Sequence, residues 1–144
     1  MYTKINEKDS AMKLGAIYSK EKTTFTLFSP VADSVFVIFY DKGNDSAEKG
    51  RLEMMRGEGE LRSIFSATAE GNLDGVYYTY EVHTSDGTFS SHDPYARACG
   101  VNGHRSMVID LSKTDPDGFA DEDRPKLADP MSMVITCLLY TSPS

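Results

Sequence analysis

The chain has 144 residues, enough to bury one domain's core and too few for two. Hydrophobic residues at 40% and charged residues at 26% are ordinary globular usage and exclude a disordered chain, while 15 basic against 22 acidic residues give a charge of −7 that repels polyphosphate. No apolar run reaches the roughly 20 residues that cross a bilayer, and the opening MYTKINEKDSAMK has no apolar signal core, so a cytoplasmic protein is expected, with neither nucleic acid nor membrane as partner.

In chain order, residues 1–13 are a polar lead-in. Thr23–Ser29, TTFTLFS, and Ser34–Tyr40, SVFVIFY, are predicted strands on their Thr, Phe and β-branched content, the second bounded by Pro30 and Gly43. In the second, Val35, Val37 and Phe39 point one way and Phe36, Ile38 and Tyr40 the other. Neither set suits water, so one face is expected to pack on an opposing sheet and the other to be at least partly covered by something else. Asp41–Gly50 reads as a solvated turn before a strand at Arg51–Met55. A further strand is predicted at Leu61–Ala69. Val76–Thr84 alternates, with Val76, Tyr78, Tyr80 and Val82 on one face and Tyr77, Thr79, Glu81 and His83 on the other. Asp86-Gly87 supplies a hairpin turn into TFSS, and Ser106–Asp110 is the last strand expected.

About seven short strands with turn signals between them and no amphipathic helix predict an all-β, immunoglobulin-like antiparallel sandwich over 14–111. Residues 112–130, polar and punctuated by Pro, read as a linker.

Few residues have the spacing that chemistry requires. His83, His92 and His104 show neither HExxH nor His-x-His spacing, and Cys99 and Cys137 form no CxxC, so no metal site, cofactor or disulfide framework is expected. The carboxylates fall mostly in turns and in the linker, where solvation explains them, so no catalytic residue is assigned. Gly100–Ser106, GVNGHRS, lacks the endings of phosphate-binding loops, and a strand follows it where a helix would be needed. Tyr77 and Tyr80 are the candidates for stacking on sugar rings, the first from the outward face.

The segments LGAIYSKEKTTFTLFSPVADSVFVIFYDKG, GVYYTYEV and DPYARACGVNGHRSMVIDLSKTDPDGF, followed by RPKL, together resemble the amino-terminal β-sandwich of type I pullulanases, debranching enzymes of glycoside hydrolase family 13. The most specific stretch is Asp93-Pro94-Tyr95-Ala96, followed by Gly100, Asn102-Gly103, Arg105-Ser106 and Asp110-Leu111. Phe28-Ser29-Pro30 is similar to the family's aromatic-Ala-Pro motif, as an apolar anchor and a turn.

The resemblance implies a carbohydrate-binding-module-48-like domain preceding a retaining (β/α)8 barrel that hydrolyses α-1,6 bonds in pullulan, glycogen or starch, with an α-glucan as partner through the parent enzyme. On it, 131–135 reads as the opening of a truncated barrel and 136–144 as a non-native tail, so the chain alone is expected to be inactive. Asp93, Pro94, Tyr95, Gly100, Asn102, Gly103 and Arg105 are expected to form a loop braced by hydrogen bonds, holding shape for docking. The alternatives are a free-standing α-glucan-binding module and a non-catalytic interaction sandwich.

Overall fold

The computed structural model describes residues 13–123 together with Lys126, Asp129, Met131, Met133 and Val134. The first twelve residues of the lead-in, Ile135, Cys137 and the proposed tail lie outside the described residues. The chain divides into two units, one ending at Ser112 and one beginning at Lys113.

Among its described residues the first unit holds nine antiparallel strands: β1 (Gly15–Tyr18), β2 (Lys22–Phe28), β3 (Ser34–Tyr40), β4 (Glu48–Arg56), β5 (Ile64–Glu70), β6 (Tyr77–Thr84), β7 (Gly87–Ser91), β8 (Ala98–Cys99) and β9 (Ser106–Met107). They follow the order β1-β2-β5-β4-β3-β6-β9-β8, with β7 also on β6. The curl of this sheet makes the sandwich. β4 pairs with β3 from Glu48 to Met54, then crosses to β5 through Met55↔Ser66 and Arg56↔Phe65, so one strand serves both layers.

The alternation expected of β3 and β6 is realised. Val35↔Val82, Val37↔Tyr80 and Phe39↔Tyr78 pair across the two strands. Val35, Val37, Tyr78 and Tyr80 are fully buried, and Phe25, Leu27, Met54, Phe65 and Val108 complete the core. The Phe25 ring meets Tyr78 edge-on at 5.0 Å between centroids, within the range such pairs prefer.

The other face of β3 is covered by this unit's own polar side chains. Ile38 is 3% exposed between its cross-strand neighbours Arg51 and Thr79. The Arg51 guanidinium donates to both Glu48 oxygens at 2.9 and 3.0 Å and lies 5.9 Å from the Phe36 ring centre. The stem of an arginine covers apolar surface while its charge stays wet, so no outside layer is needed.

Several expectations shift. β1 and β8 were not predicted, being four and two residues long and without alternation of their own. The strand expected at Leu61 starts at Ile64, because Gly59–Leu61 makes a 3-10 turn, and the last strand stops at Met107. Phe28 is 50% exposed, so Leu27 beside it is the buried anchor, as strand parity requires. At the expected barrel opening Met131, Met133 and Val134 carry no strand, and among the described residues no strand lies beyond Met107. A strand needs a neighbour to satisfy its backbone.

Thr23 sits on the core side of β2, 0% exposed, and its Oγ1 has no hydrogen-bond partner. A buried unsatisfied hydroxyl costs about 1–3 kcal/mol, so Thr23→Val is expected to raise stability by about 1 kcal/mol. Urea unfolding followed by tyrosine fluorescence reads this, and a midpoint that falls contradicts it.

Candidate functional site: a braced loop over buried tyrosines

The loop from His92 to Ser106 is shaped at its base by Asp93. The backbone before a proline is biased toward extended conformation, so Asp93-Pro94 enters as an extended corner, and a turn closes behind it through the Ala96 N–H to the Asp93 carbonyl at 3.1 Å. Asp93 is 2% exposed. Its Oδ2 accepts from the Tyr78 hydroxyl at 2.7 Å and the Tyr80 hydroxyl at 3.2 Å, and its Oδ1 accepts from the Tyr95 N–H at 2.8 Å. Its own N–H donates to Ser106 Oγ at 2.8 Å, which ties the loop's two ends together.

Burial, then the Asp93 carboxylate and its hydrogen bond, push the Tyr78 hydroxyl well above its ordinary 10.0; burial, then the charge of Asp93, do the same for Tyr80. These phenols are held as donors. They have no means of giving up a proton near neutral pH.

Arg105 braces the far end. Its Nη1 donates to the Lys42 carbonyl at 2.7 Å and to Ser46 Oγ at 2.8 Å, and its Nη2 to the Ser46 carbonyl at 2.9 Å. The guanidinium lies 3.5 Å from the centre of the Tyr40 ring. The planar fork satisfies the 42–46 turn while stacking on β3, a combination lysine cannot supply. A methyl on Gly100 would meet the Gly43 Cα at 2.6 Å, so the two backbones cross where only glycine fits. Asn102 takes a left-handed φ of 55° and Gly103 one of 69°, completing the bend.

Of the residues expected to brace the loop, Asp93 and Arg105 do so through their side chains. Tyr95 contributes its backbone N–H while its ring is 45% exposed, and Asn102 contributes its conformation. The tyrosines assigned to sugar contact divide otherwise. Tyr80 is fully buried with its hydroxyl engaged, so it has no face for a sugar; its position on the inward row of β6 dictates that. Tyr77 is half-buried, its Cε1 lying 3.1 Å from where a methyl on Gly43 or Gly100 would stand. The residues missed by sequence reasoning are Tyr78, Ser106, Lys42 and Ser46. The first two stand on strands and read as packing; the last two lie some 60 residues from Arg105, beyond any local pattern.

Of the other ionisable groups among the described residues, Glu48, Arg51, Glu81 and His83 link in a row on the outer face, at 2.9, 3.5 and 2.9 Å. Asp110, 7% exposed, accepts at Oδ1 from the Ser112 N–H and hydroxyl at 3.1 and 2.6 Å, while its own N–H donates to Asp74. His83 contacts Glu81 at 2.9 Å on the outer face, and His92 and His104 are exposed. Among the described residues no three His, Cys, Asp or Glu side chains group to hold a metal. Above Asp93 a depression of about 380 Å3 is lined by His92, Ala96, Arg97, Cys99 and Asn102.

The model of carbohydrate-binding module 48, the isoamylase N-terminal domain, matches residues 13–96. Pullulanase A of Streptococcus pneumoniae serotype 4 is 31% identical over 116 residues, 76% of this chain and 9% of that protein. The pullulanase of Bacillus subtilis is 30% identical over 98 residues, 67% of this chain and 13% of its own length. Among solved structures, the pullulanase from Bacillus acidopullulyticus superposes with a TM-score of 0.74 at 34% identity, covering 82% of this chain and 14% of that one. The Paenibacillus barengoltzii pullulanase, in complex with maltohexaose and alpha-cyclodextrin, gives 0.75 at 34% identity, over 82% of this chain and 18% of its own. The chain thus spans less than a fifth of each of these relatives.

Two outcomes follow from this geometry. Stability is fully present below the ordinary tyrosine value of 10.0 and falls as pH rises past it toward the raised folded values of Tyr78 and Tyr80, because only the unfolded chain releases those protons. Between about pH 9 and 11 the loss sums to about 1.4 kcal/mol for each tyrosine, most of it above pH 10, read as urea midpoints, and Y78F/Y80F flattens it. Arg105→Ala is expected to cost about 2 kcal/mol and to open the 42–46 turn to protease, with Arg105→Lys restoring little of either.

Proposed function

The chain belongs to the carbohydrate-binding module 48 family, and from that premise we propose that it is the accessory domain of a pullulanase-type α-glucan debranching enzyme. The parent is read as a glycoside hydrolase acting on α-1,6 bonds with retention, in a catalytic barrel elsewhere in its chain. This domain's part is to hold a shaped surface against that neighbour.

One observation carries the reading. The polar groups of the most family-like stretch are spent inside the domain, Asp93 on three donors and Arg105 on two carbonyls, a hydroxyl and a ring. A glycosidase needs two carboxyl groups roughly 5 to 9.5 Å apart across a cleft that admits the sugar. Asp93 and Asp110, the buried carboxyl groups among the described residues, instead accept within the domain, the first from the Tyr78 and Tyr80 hydroxyls and the Tyr95 N–H, the second from the N–H and hydroxyl of Ser112. A free-standing glucan-binding module would need an open aromatic face. Tyr80 has none, and one edge of Tyr77 is overlain.

The purified chain is therefore expected to release no reducing ends from pullulan. In a full-length relative, the substitution matching Arg105→Ala should lower the unfolding temperature by several degrees and leave kcat within about twofold. Reducing ends from the purified chain, or a tenfold loss of kcat in a relative that stays folded, contradict the scaffold role. Saturable quenching of tyrosine fluorescence by β-cyclodextrin would favour the binding module.

A further inference from the structure

The tip of the β8–β9 hairpin carries two neighbours able to react with each other. Cys99 pairs with Ser106, and residues 100–105 turn between them. Three backbone bonds close the turn: the Gly100 N–H donates to the Arg105 carbonyl at 2.8 Å, the Gly103 N–H to the Gly100 carbonyl at 3.0 Å, and the His104 N–H to the Val101 carbonyl at 3.3 Å. At its centre Asn102 takes φ 55° and ψ 19°, a left-handed conformation that asparagine tolerates better than most residues with a side chain. Gly103 follows, and with no Cβ its nitrogen is unhindered.

An asparagine side chain can be attacked by the main-chain nitrogen that follows it, closing a five-membered ring. The closed turn opposes that reaction in two ways. The ring needs Asn102 Cβ and the Gly103 nitrogen on the same side of the Cα–C bond, and ψ 19° puts them on nearly opposite sides. The nitrogen is an amide whose lone pair is delocalised, so it must first give up its proton, and the Gly100 carbonyl holds that proton. Gly100 is itself pinned, by its crossing with Gly43 and by the Arg105 carbonyl, while the Arg105 guanidinium bonds the Lys42 and Ser46 carbonyls. Turning ψ of Asn102 therefore requires the tip to come away from the 42–46 turn.

We propose that Asn102 is a site of spontaneous deamidation gated by the Arg105 clamp. When the tip opens, the bond from the Gly103 nitrogen to Asn102 Cγ forms and the Cγ–Nδ2 bond breaks. The glycine proton leaves with the amide nitrogen as ammonia, and a succinimide ring remains. Water opens the ring at Cγ to give an aspartyl residue, or at the main-chain carbonyl carbon to give an isoaspartyl one whose backbone runs through Cβ. No oxidant or cofactor enters. Both reacting groups are neighbours in the chain, so the reaction asks for water and a free ψ rather than an open surface. The isoaspartyl product adds a backbone carbon to a turn whose length is fixed by three bonds and a glycine crossing. It does not re-form the closed tip, and the opening becomes permanent.

The inference is independent of any debranching role. The purified chain is held at mildly alkaline pH, and peptide mapping by mass spectrometry follows the unmodified, aspartyl and isoaspartyl forms at position 102. Reaction in the folded chain should be about tenfold slower, or more, than in the same chain unfolded in urea, because it waits on local opening. Arg105→Ala, and Ser46→Ala should the first fail to fold, should speed the folded chain severalfold. Phe65→Leu, which loosens the core and spares the clamp, should leave the folded rate near the parent's. The isoaspartyl fraction should be cut by protease in the 42–46 turn. Equal rates folded and unfolded, clamp variants no faster than the parent, Phe65→Leu accelerating as much as they do, or an isoaspartyl fraction as resistant as the parent overturns the proposal.

Discussion

The fold depends on one buried carboxylate. Asp93 stands at the mouth of the sandwich with two phenolic hydroxyls aimed at it from successive inward positions of β6, Tyr78 and Tyr80. A tyrosine in a core needs an acceptor for its hydroxyl, and a carboxylate in a core needs donors; each leaves the other costly if removed. Charge-assisted hydrogen bonds are worth about 1.5–3 kcal/mol each, and this set links β6, the turn at Tyr95 and, through Ser106, β9. The Asp-Pro-Tyr stretch is therefore the end of the core, which extends into a loop because the loop supplies the acceptor.

Arg105 solves a different problem with a different charge. The turn after β3 leaves the Lys42 and Ser46 carbonyls facing the loop, and β3 presents an aromatic ring there. A guanidinium meets both demands. The Gly43 and Gly100 backbones cross so closely that the arginine reaches across without a gap. The loop is thus held from beneath by an anion and from the side by a cation. These are separate interactions, so weakening one leaves the other to keep part of the loop's shape.

Much of this could be read from the sequence, for reasons of period. In Val35–Tyr40 and Tyr77–His83 alternation assigned the residues to their observed faces, since register and burial reinforce each other over six or seven residues. β1 and β8 were invisible because strands of four and two residues form only where a partner waits, and the partner is distant in sequence. The site was half legible. Asp93, Gly100 and Arg105 stand out as unusual residue types in a turn-rich stretch, but their partners on β3, β6 and the 42–46 turn are ordinary residues whose role appears only when the chain closes. The covering of Ile38 by Arg51 was illegible for a related reason: charge in a sequence reads as solvation, although the stem of an arginine is apolar.

The same geometry explains why a strand with three tyrosines in four positions offers so little to a sugar. Stacking needs a ring face open to solvent, and period two sends Tyr78 and Tyr80 inward to the Asp93 oxygens. That leaves Tyr77, and the Gly43–Gly100 crossing lies over its edge, beside the bond from Arg105 to the Lys42 carbonyl. Freeing Tyr77 would mean loosening the loop that the arginine holds, and converting Tyr80 would mean opening the core. Rigidity of the 92–106 loop and a sugar platform on β6 are therefore competing uses of one set of aromatic residues, and in this chain their hydrogen bonds and packing are committed to rigidity.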